Sequence, residues 1–109
     1  MAAMDEGLLK IERTPEGVDP YAEAGVEPPE SFPVTAMDKD ELAHMLRMCG
    51  TVRHMRPVDV ARACGISRNA AESLFRSGEG TVDDTMDVLG ALRAHAVTLP
   101  PIDRAGRYL

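Results

Sequence analysis

Aromatic side chains are nearly missing from this chain: two Tyr, two Phe and no Trp among 109 residues. Any core must therefore be packed with Leu, Met, Val and Ala. Cysteine is equally scarce, and the pair Cys49 and Cys64 is too small for a disulfide framework. Both fall at apolar positions of helical patterns, where a free thiol acts as a small buried hydrophobe. No apolar run approaches the length of a membrane span, and the opening MAAMDEGLLK lacks the basic-then-apolar layout of a secretory signal. These absences point to a soluble, cytoplasmic protein in a reducing compartment, with no membrane partner. Chemistry is also thinly represented. No nucleophile, base and orienting group assemble from neighbouring positions, and no glycine-rich loop is built to cradle phosphate. His44, Cys49, His54 and Cys64 match no paired zinc-knuckle spacing. No enzyme activity, cofactor or metal is expected. His95 is read as a dipole partner at the end of the last helix.

Basic charge is missing from one end. Residues 1–41 hold eleven acidic and three basic side chains, a net of −8, and residues 42–109 hold seven and nine, a net of +2, giving −6 overall. Between residues 42 and 76 stand Arg47, Arg53, Arg56, Arg62, Arg68 and Arg76 against only Asp59 and Glu72. An acidic protein is ordinarily a poor candidate for nucleic acid, because phosphate neutralisation supplies most non-specific affinity. Here the local sign carries more information than the sum.

Residues 1–36 carry five of the eight prolines and no sustained apolar period. They read as an acidic, extended or disordered arm. Leu8–Glu12, LLKIE, would form a short strand or helical turn if it found a partner. Helical order begins at MDKDEL, where Asp38 and Glu41 form a capping box and Met37 and Leu42 a hydrophobic staple. Leu42, Met45, Leu46, Cys49 and Val52 share one face of a helix ending near Arg53. Pro57 opens a second helix with Val60, Ala61 and Cys64 inward, and Gly65 stops it. Ser67 caps a third, packed through Ala71, Leu74 and Phe75 and ended by Gly78 and Gly80. Thr81 caps a fourth, with Asp83 and Asp84 in its first turn and Val82, Thr85, Met86, Leu89 and Leu92 inward. The expected domain spans 37–96, and the tail 97–109 either frays or completes a dimer interface through Val97, Leu99, Ile102 and Leu109.

The stretch VARACGISRNAAESLFRSGEGTVDDTMDVLGAL meets the requirements of a helix-turn-helix in order. Ala61 is small where two helices must touch, Gly65 gives the turn a permissive backbone, and Val60, Cys64, Ile66, Ala71 and Leu74 plug the inner faces. In this it resembles the DNA-binding domain of the Xre/Cro family and lambda-type phage repressors, over roughly residues 40–95. The resemblance implies an all-α, lambda-repressor-like bundle of four to five short helices with an extended N-terminal arm. It also implies a homodimeric regulator that binds double-stranded operator DNA, usually as a repressor in a phage, plasmid or antitoxin setting.

Carried over by position, Arg68, Asn69, Glu72, Ser73 and Arg76 face the major groove. Arg suits guanine O6/N7, Asn suits adenine N6/N7, and Glu can accept from cytosine N4. Ser67 sits at a helix N-terminus, a ready phosphate contact, and Arg53, Arg56 and Arg62 are placed to hold the backbone. About four phosphates per protomer would give a log–log salt slope of about −3 to −4. The acidic arm stays open to three readings: a solvated tail, a protein-binding segment anchored by Leu8, Leu9, Ile11, Tyr21 and Phe32, or an internal decoy for the basic helices. The decoy reading expects deletion of residues 1–36 to tighten DNA binding. The alternative function is a protein-binding inhibitor or antitoxin that uses the same scaffold and arm to block an effector protein.

Overall fold

The computed structural model describes residues 14–109. Leu8–Glu12, with the anchors Leu8, Leu9 and Ile11, lies outside the described residues. In chain order the elements are helix α1 (Pro20–Ala24), strand β1 (Phe32–Thr35), helices α2 (Lys39–Arg53), α3 (Pro57–Cys64), α4 (Arg68–Ser77) and α5 (Val82–Leu92), and strand β2 (Ala94–Thr98).

The all-α expectation is overturned. β1 and β2 pair in parallel, Phe32 with Ala94, Pro33 with His95 and Val34 with Ala96, before an irregularity shifts the register to Thr35 with Thr98. The four helices α2–α5 form the crossover between the two strands. Over the described residues 14–36 the extended arm is overturned with it, because Tyr21, Phe32, Val34 and Ala36 are core residues. β1 alternates strictly, with Phe32 and Val34 buried and Pro33 and Thr35 exposed, as a half-buried strand must. Pro33 is tolerated because a two-stranded sheet has only edge strands, where a missing N–H can face outward. His95 therefore lies in β2 and not on a helix end, its Nδ1 2.7 Å from Ser31 Oγ.

The helix boundaries follow from their caps. Asp38 accepts from the Glu41 amide at 2.9 Å, while the Glu41 carboxylate reaches the Met37 amide at 2.6 Å. Met37, expected to staple Leu42, stays 65% exposed, while Leu42 is wholly buried. Gly50, in mid-helix, allows a close approach: a Cβ there would sit 2.7 Å from the Met55 carbonyl and 3.2 Å from the Phe75 ring. α2 thus ends tightly enough for the chain to turn directly into α3. Ser67 and Thr81 cap α4 and α5 through the amides of Ala70 and Asp84. Met86, expected inward, is 50% exposed; Val88 takes the buried position instead.

The tail folds back on α5. Tyr108 donates to Thr85 Oγ1 at 2.8 Å inside the core, and Thr81 and Arg107 form an antiparallel bridge. Burial raises the Tyr108 pKa, with the Thr85 bond opposing it. Cys49 is wholly buried and its thiol is pushed up to about 12, whereas Cys64 is only partly covered. No helix among the described residues is long and apolar enough to cross a membrane.

Arg53, expected to hold a DNA backbone, is turned inward. Its Nε donates to the Leu92 carbonyl at 2.9 Å and its Nη2 to those of Pro29 (2.7 Å), Glu30 (3.2 Å) and Arg93 (3.1 Å). The guanidinium carbon lies 4.4 Å from the Phe32 ring centroid. Arg53→Ala is expected to cost about 2–3 kcal/mol in denaturant unfolding, since charged hydrogen bonds and a cation–π contact go together. Arg53→Lys should recover less than half of that loss, because an ammonium cannot reproduce the fork or the stacking. A second expectation concerns the N-terminal segment. Deleting residues 1–36 should abolish cooperative thermal unfolding, since it removes Tyr21, Phe32, Val34 and Ala36 from the core. It cannot serve as a clean test of a decoy.

Candidate nucleic-acid interface

Helix α4 is amphipathic in a simple way. Ala71, Leu74 and Phe75 are buried, and Leu74 has no exposure at all. At 100° per residue the opposite face is centred on Asn69, Ser73 and Arg76, with Glu72 beside it and Arg68 at its margin. Arg68, Asn69 and Arg76 are exposed, Glu72 and Ser73 half-buried. The helix is held on its inner side by α2, α3 and α5.

The turn that aims α4 is Gly65-Ile66-Ser67. Gly65 adopts φ 82°, in the left-handed region, and its amide caps the Ala61 carbonyl. Ala61, 5% exposed, leaves room for α3 and α4 to meet. Ser67 Oγ accepts from the Ala70 amide at 3.0 Å, which leaves its O–H free to donate to a phosphate beside the helix-terminal amides.

Charge on this surface is partly balanced from within. Arg68 Nε contacts Glu72 at 2.9 Å, an i,i+4 pair along the exposed face. Arg56 Nε lies 3.3 Å from Asp59, whose carboxylate also accepts the Arg56 amide at 2.9 Å. That backbone hydrogen bond, then the side-chain one, lowers the Asp59 pKa. Arg62 and Arg76 are exposed and have no ion-pair partner among the described residues. Lys39 and Glu79 pair at 2.8 Å, tying the start of α2 to the loop after α4.

A cleft of about 840 Å³ brings three of the expected site residues together. Arg56, Glu72 and Arg76 line it with Glu16, Arg47 and Asp59, over a floor that includes Phe75 and Met55. Arg62, Ser67, Arg68, Asn69 and Ser73 are not among its lining residues. Glu16, Arg47 and His44 had no assigned role in the sequence. Arg47 Nε donates to both Glu16 oxygens at 2.9 Å, and His44 Nδ1 lies 3.0 Å from Oε2. Arg47 Nη1 meanwhile donates to the Phe75 and Arg76 carbonyls at the end of α4. Glu16 and Arg47 stand 31 residues apart, and no local spacing relates them. Among the described residues no group of His, Cys, Asp and Glu is arranged to hold a metal ion.

The Arg47 hydrogen bond, followed by that of His44, lowers the Glu16 pKa to about 2. Because the folded value lies below the unfolded one, the stability this contact adds is fully present above about pH 4.5. It is lost as pH falls toward 2. Glu16→Gln should therefore lower stability at pH 7 by an amount that solvent screening keeps modest for so exposed a pair, and flatten the acid limb by the same amount, so that the two proteins converge as pH falls from 4.5 toward 2. Urea unfolding at stepped pH reads this directly.

No family model, curated protein or solved structure matches the chain. These comparisons therefore lend nothing to the Xre/Cro resemblance expected from the sequence of α3, the Gly65 turn and α4.

Proposed function

We propose that the protein is a sequence-specific regulator that binds double-stranded DNA with α4 in the major groove. The observation that carries this reading is the outward face of α4. Arg68, Asn69, Glu72 and Arg76 project from a helix whose other side is locked into the core. Such a rigid platform keeps the positional precision that base readout needs. The Arg68–Glu72 pair is compatible with it, since an exposed i,i+4 pair is weak enough to open when guanine O6/N7 is presented to Arg68. Arg62 and Arg56 flank the face and supply backbone contacts. With Arg53 committed to the core, the phosphate-binding set is smaller than the arginine count suggests.

Repression by occlusion is the simplest action for a domain of this size. A homodimer would place two α4 helices on half-sites about one helical turn apart. Val97, Ile102 and Leu109, exposed by 61%, 45% and 67%, offer apolar surface for a two-fold contact. The phage, plasmid or antitoxin setting comes from the family resemblance alone.

The test is selection of sheared genomic DNA by the purified protein, repeated with Arg68→Ala/Asn69→Ala. A short palindromic site is expected, bound at least tenfold more weakly by the double variant, since each bidentate base contact is worth about 1–3 kcal/mol. Absence of any enrichment at low salt, with a folded protein, would overturn the reading and move the search to protein partners.

A further inference from the structure

Arg47 is built as an anion receptor. Its Nη1 is spent on the Phe75 and Arg76 carbonyls, which fixes the plane of the guanidinium against the end of α4. The remaining edge, Nε and Nη2, faces outward with His44 beside it, and both hold the Glu16 carboxylate. A guanidinium edge of this kind fits a carboxylate and a phosphate equally well, by two parallel hydrogen bonds. Glu16 itself is 46% exposed on its side chain, so it sits on the receptor without being enclosed. The cleft it borders also contains Arg56 and Arg76, the cations that flank the α4 face.

We propose that Arg47 and His44 form a phosphodiester-binding site at the edge of the α4 surface, occupied in the free protein by Glu16 as an internal stand-in for a DNA phosphate. The proposal rests on the DNA-binding reading and adds its regulation. DNA binding displaces Glu16, and the N-terminal segment lifts from α2 as the phosphate takes its place. A tethered carboxylate competes at high local concentration, so the free protein is held back from non-specific DNA. The exchange also alters salt dependence. In the native protein Glu16 recovers a counterion when it is released, which cancels the one that the phosphate gives up. Without Glu16 that cancellation disappears.

The experiment is binding of a mixed-sequence duplex of about 30 base pairs, followed by fluorescence anisotropy from low to moderate salt. The full-length chain is compared with Glu16→Gln, with Glu23→Gln as a control for net charge, and with Arg47→Gln alone and combined with Glu16→Gln. Glu16→Gln should bind about five- to tenfold more tightly at low salt, well beyond Glu23→Gln, with a log–log slope steeper by about 0.9. The gain should vanish in the Arg47→Gln background. Titration with inorganic phosphate, observed at the Arg47 Nε–H resonance, gives a readout independent of DNA and of how well Arg47→Gln folds. The resonance should move in Glu16→Gln at phosphate concentrations that leave the native protein unchanged. If the native protein binds DNA and Glu16→Gln matches Glu23→Gln, the site is overturned while the regulator reading stands. An Arg47 resonance that phosphate does not move in Glu16→Gln overturns it equally. If no variant binds DNA at low salt, both proposals fall together.

Discussion

One arginine decides how this chain closes. Arg53 ends α2, and its fork binds carbonyls from the segment before β1 and from the junction of α5 and β2. Those segments are far apart in sequence, and the Arg53 fork joins them beside the strand pairing, where the Phe32 amide donates to the Arg93 carbonyl at 3.0 Å. Hydrogen bonds to a charged group are worth about 1.5–3 kcal/mol where they are shielded from water, so one cation that gathers several part-buried and exposed carbonyls draws these segments together. Phe32 completes it by covering the guanidinium face at 4.4 Å, and Tyr21 packs on Phe32 with ring centroids 5.7 Å apart. Three of the four aromatic residues of the chain are thus placed where large apolar bodies matter most: two at this closure and Tyr108 against α5. Burial lowers the Arg53 pKa, but from so high a starting value that the group keeps its charge.

That closure frees the α3–α4 pair from any duty in holding the ends together. The buried sides of α3 and α4 meet α2 and α5, and the outer side of α4 contributes nothing to the core. A helix in this position can carry Arg68, Asn69 and Arg76 at little cost in stability, which is the condition for a surface to be shaped by binding. Arg47 serves the opposite end. By donating to the last carbonyls of α4 it does for the helix C-terminus what Ser67 does for the N-terminus. Both ends of the exposed helix are therefore fixed by side chains.

Local signals in the sequence were sufficient for α2–α5, whereas α1, capped by Asp19 and ended by Gly25, fell inside the segment read as an arm. Asp38, Pro57, Ser67 and Thr81 each stand at a helix start, and Gly65 and Gly78 at helix ends, because capping chemistry acts over three or four residues. The strands left no comparable mark. FPVT is four residues inside a proline-rich run, and AHAVT directly follows a helix with alanines that read as its continuation. Arg93 at φ 54° separates α5 from β2, a left-handed position that a residue other than glycine does not advertise. Their pairing depends on a contact across the whole helical crossover, and contacts of that range have no periodicity to betray them. The same limit applies to the site. The α4 face could be written down from helical spacing, while the roles of Arg47 and Arg53 could not. An arginine that serves carbonyls, as Arg53 does, and one that serves carbonyls and a carboxylate, as Arg47 does, look alike until those acceptors are placed.

The distribution of charge follows from that difference. Counting cations between residues 42 and 76 gives six arginines, yet Arg53 is consumed by the fold, Arg47 by Glu16 and α4, and Arg56 and Arg68 are partnered by Asp59 and Glu72. Only Arg62 and Arg76 of the six stand exposed without a carboxylate partner among the described residues. A protein of net charge −6 with two uncompensated cations on its face would be a weak general binder of polyanions. Weak attraction to arbitrary DNA is no defect in a site reader, because what matters in a genome is the ratio between specific and non-specific binding. Pairs that open only when a better-fitting acceptor arrives raise this ratio. Each carboxylate removed from its arginine is a fixed cost, and a correctly placed base or phosphate offsets it where a misplaced one does not. If the chain reads DNA sites as proposed, the internal pairing of its basic surface would work as discrimination, and the acidity of the whole chain would belong to the same mechanism.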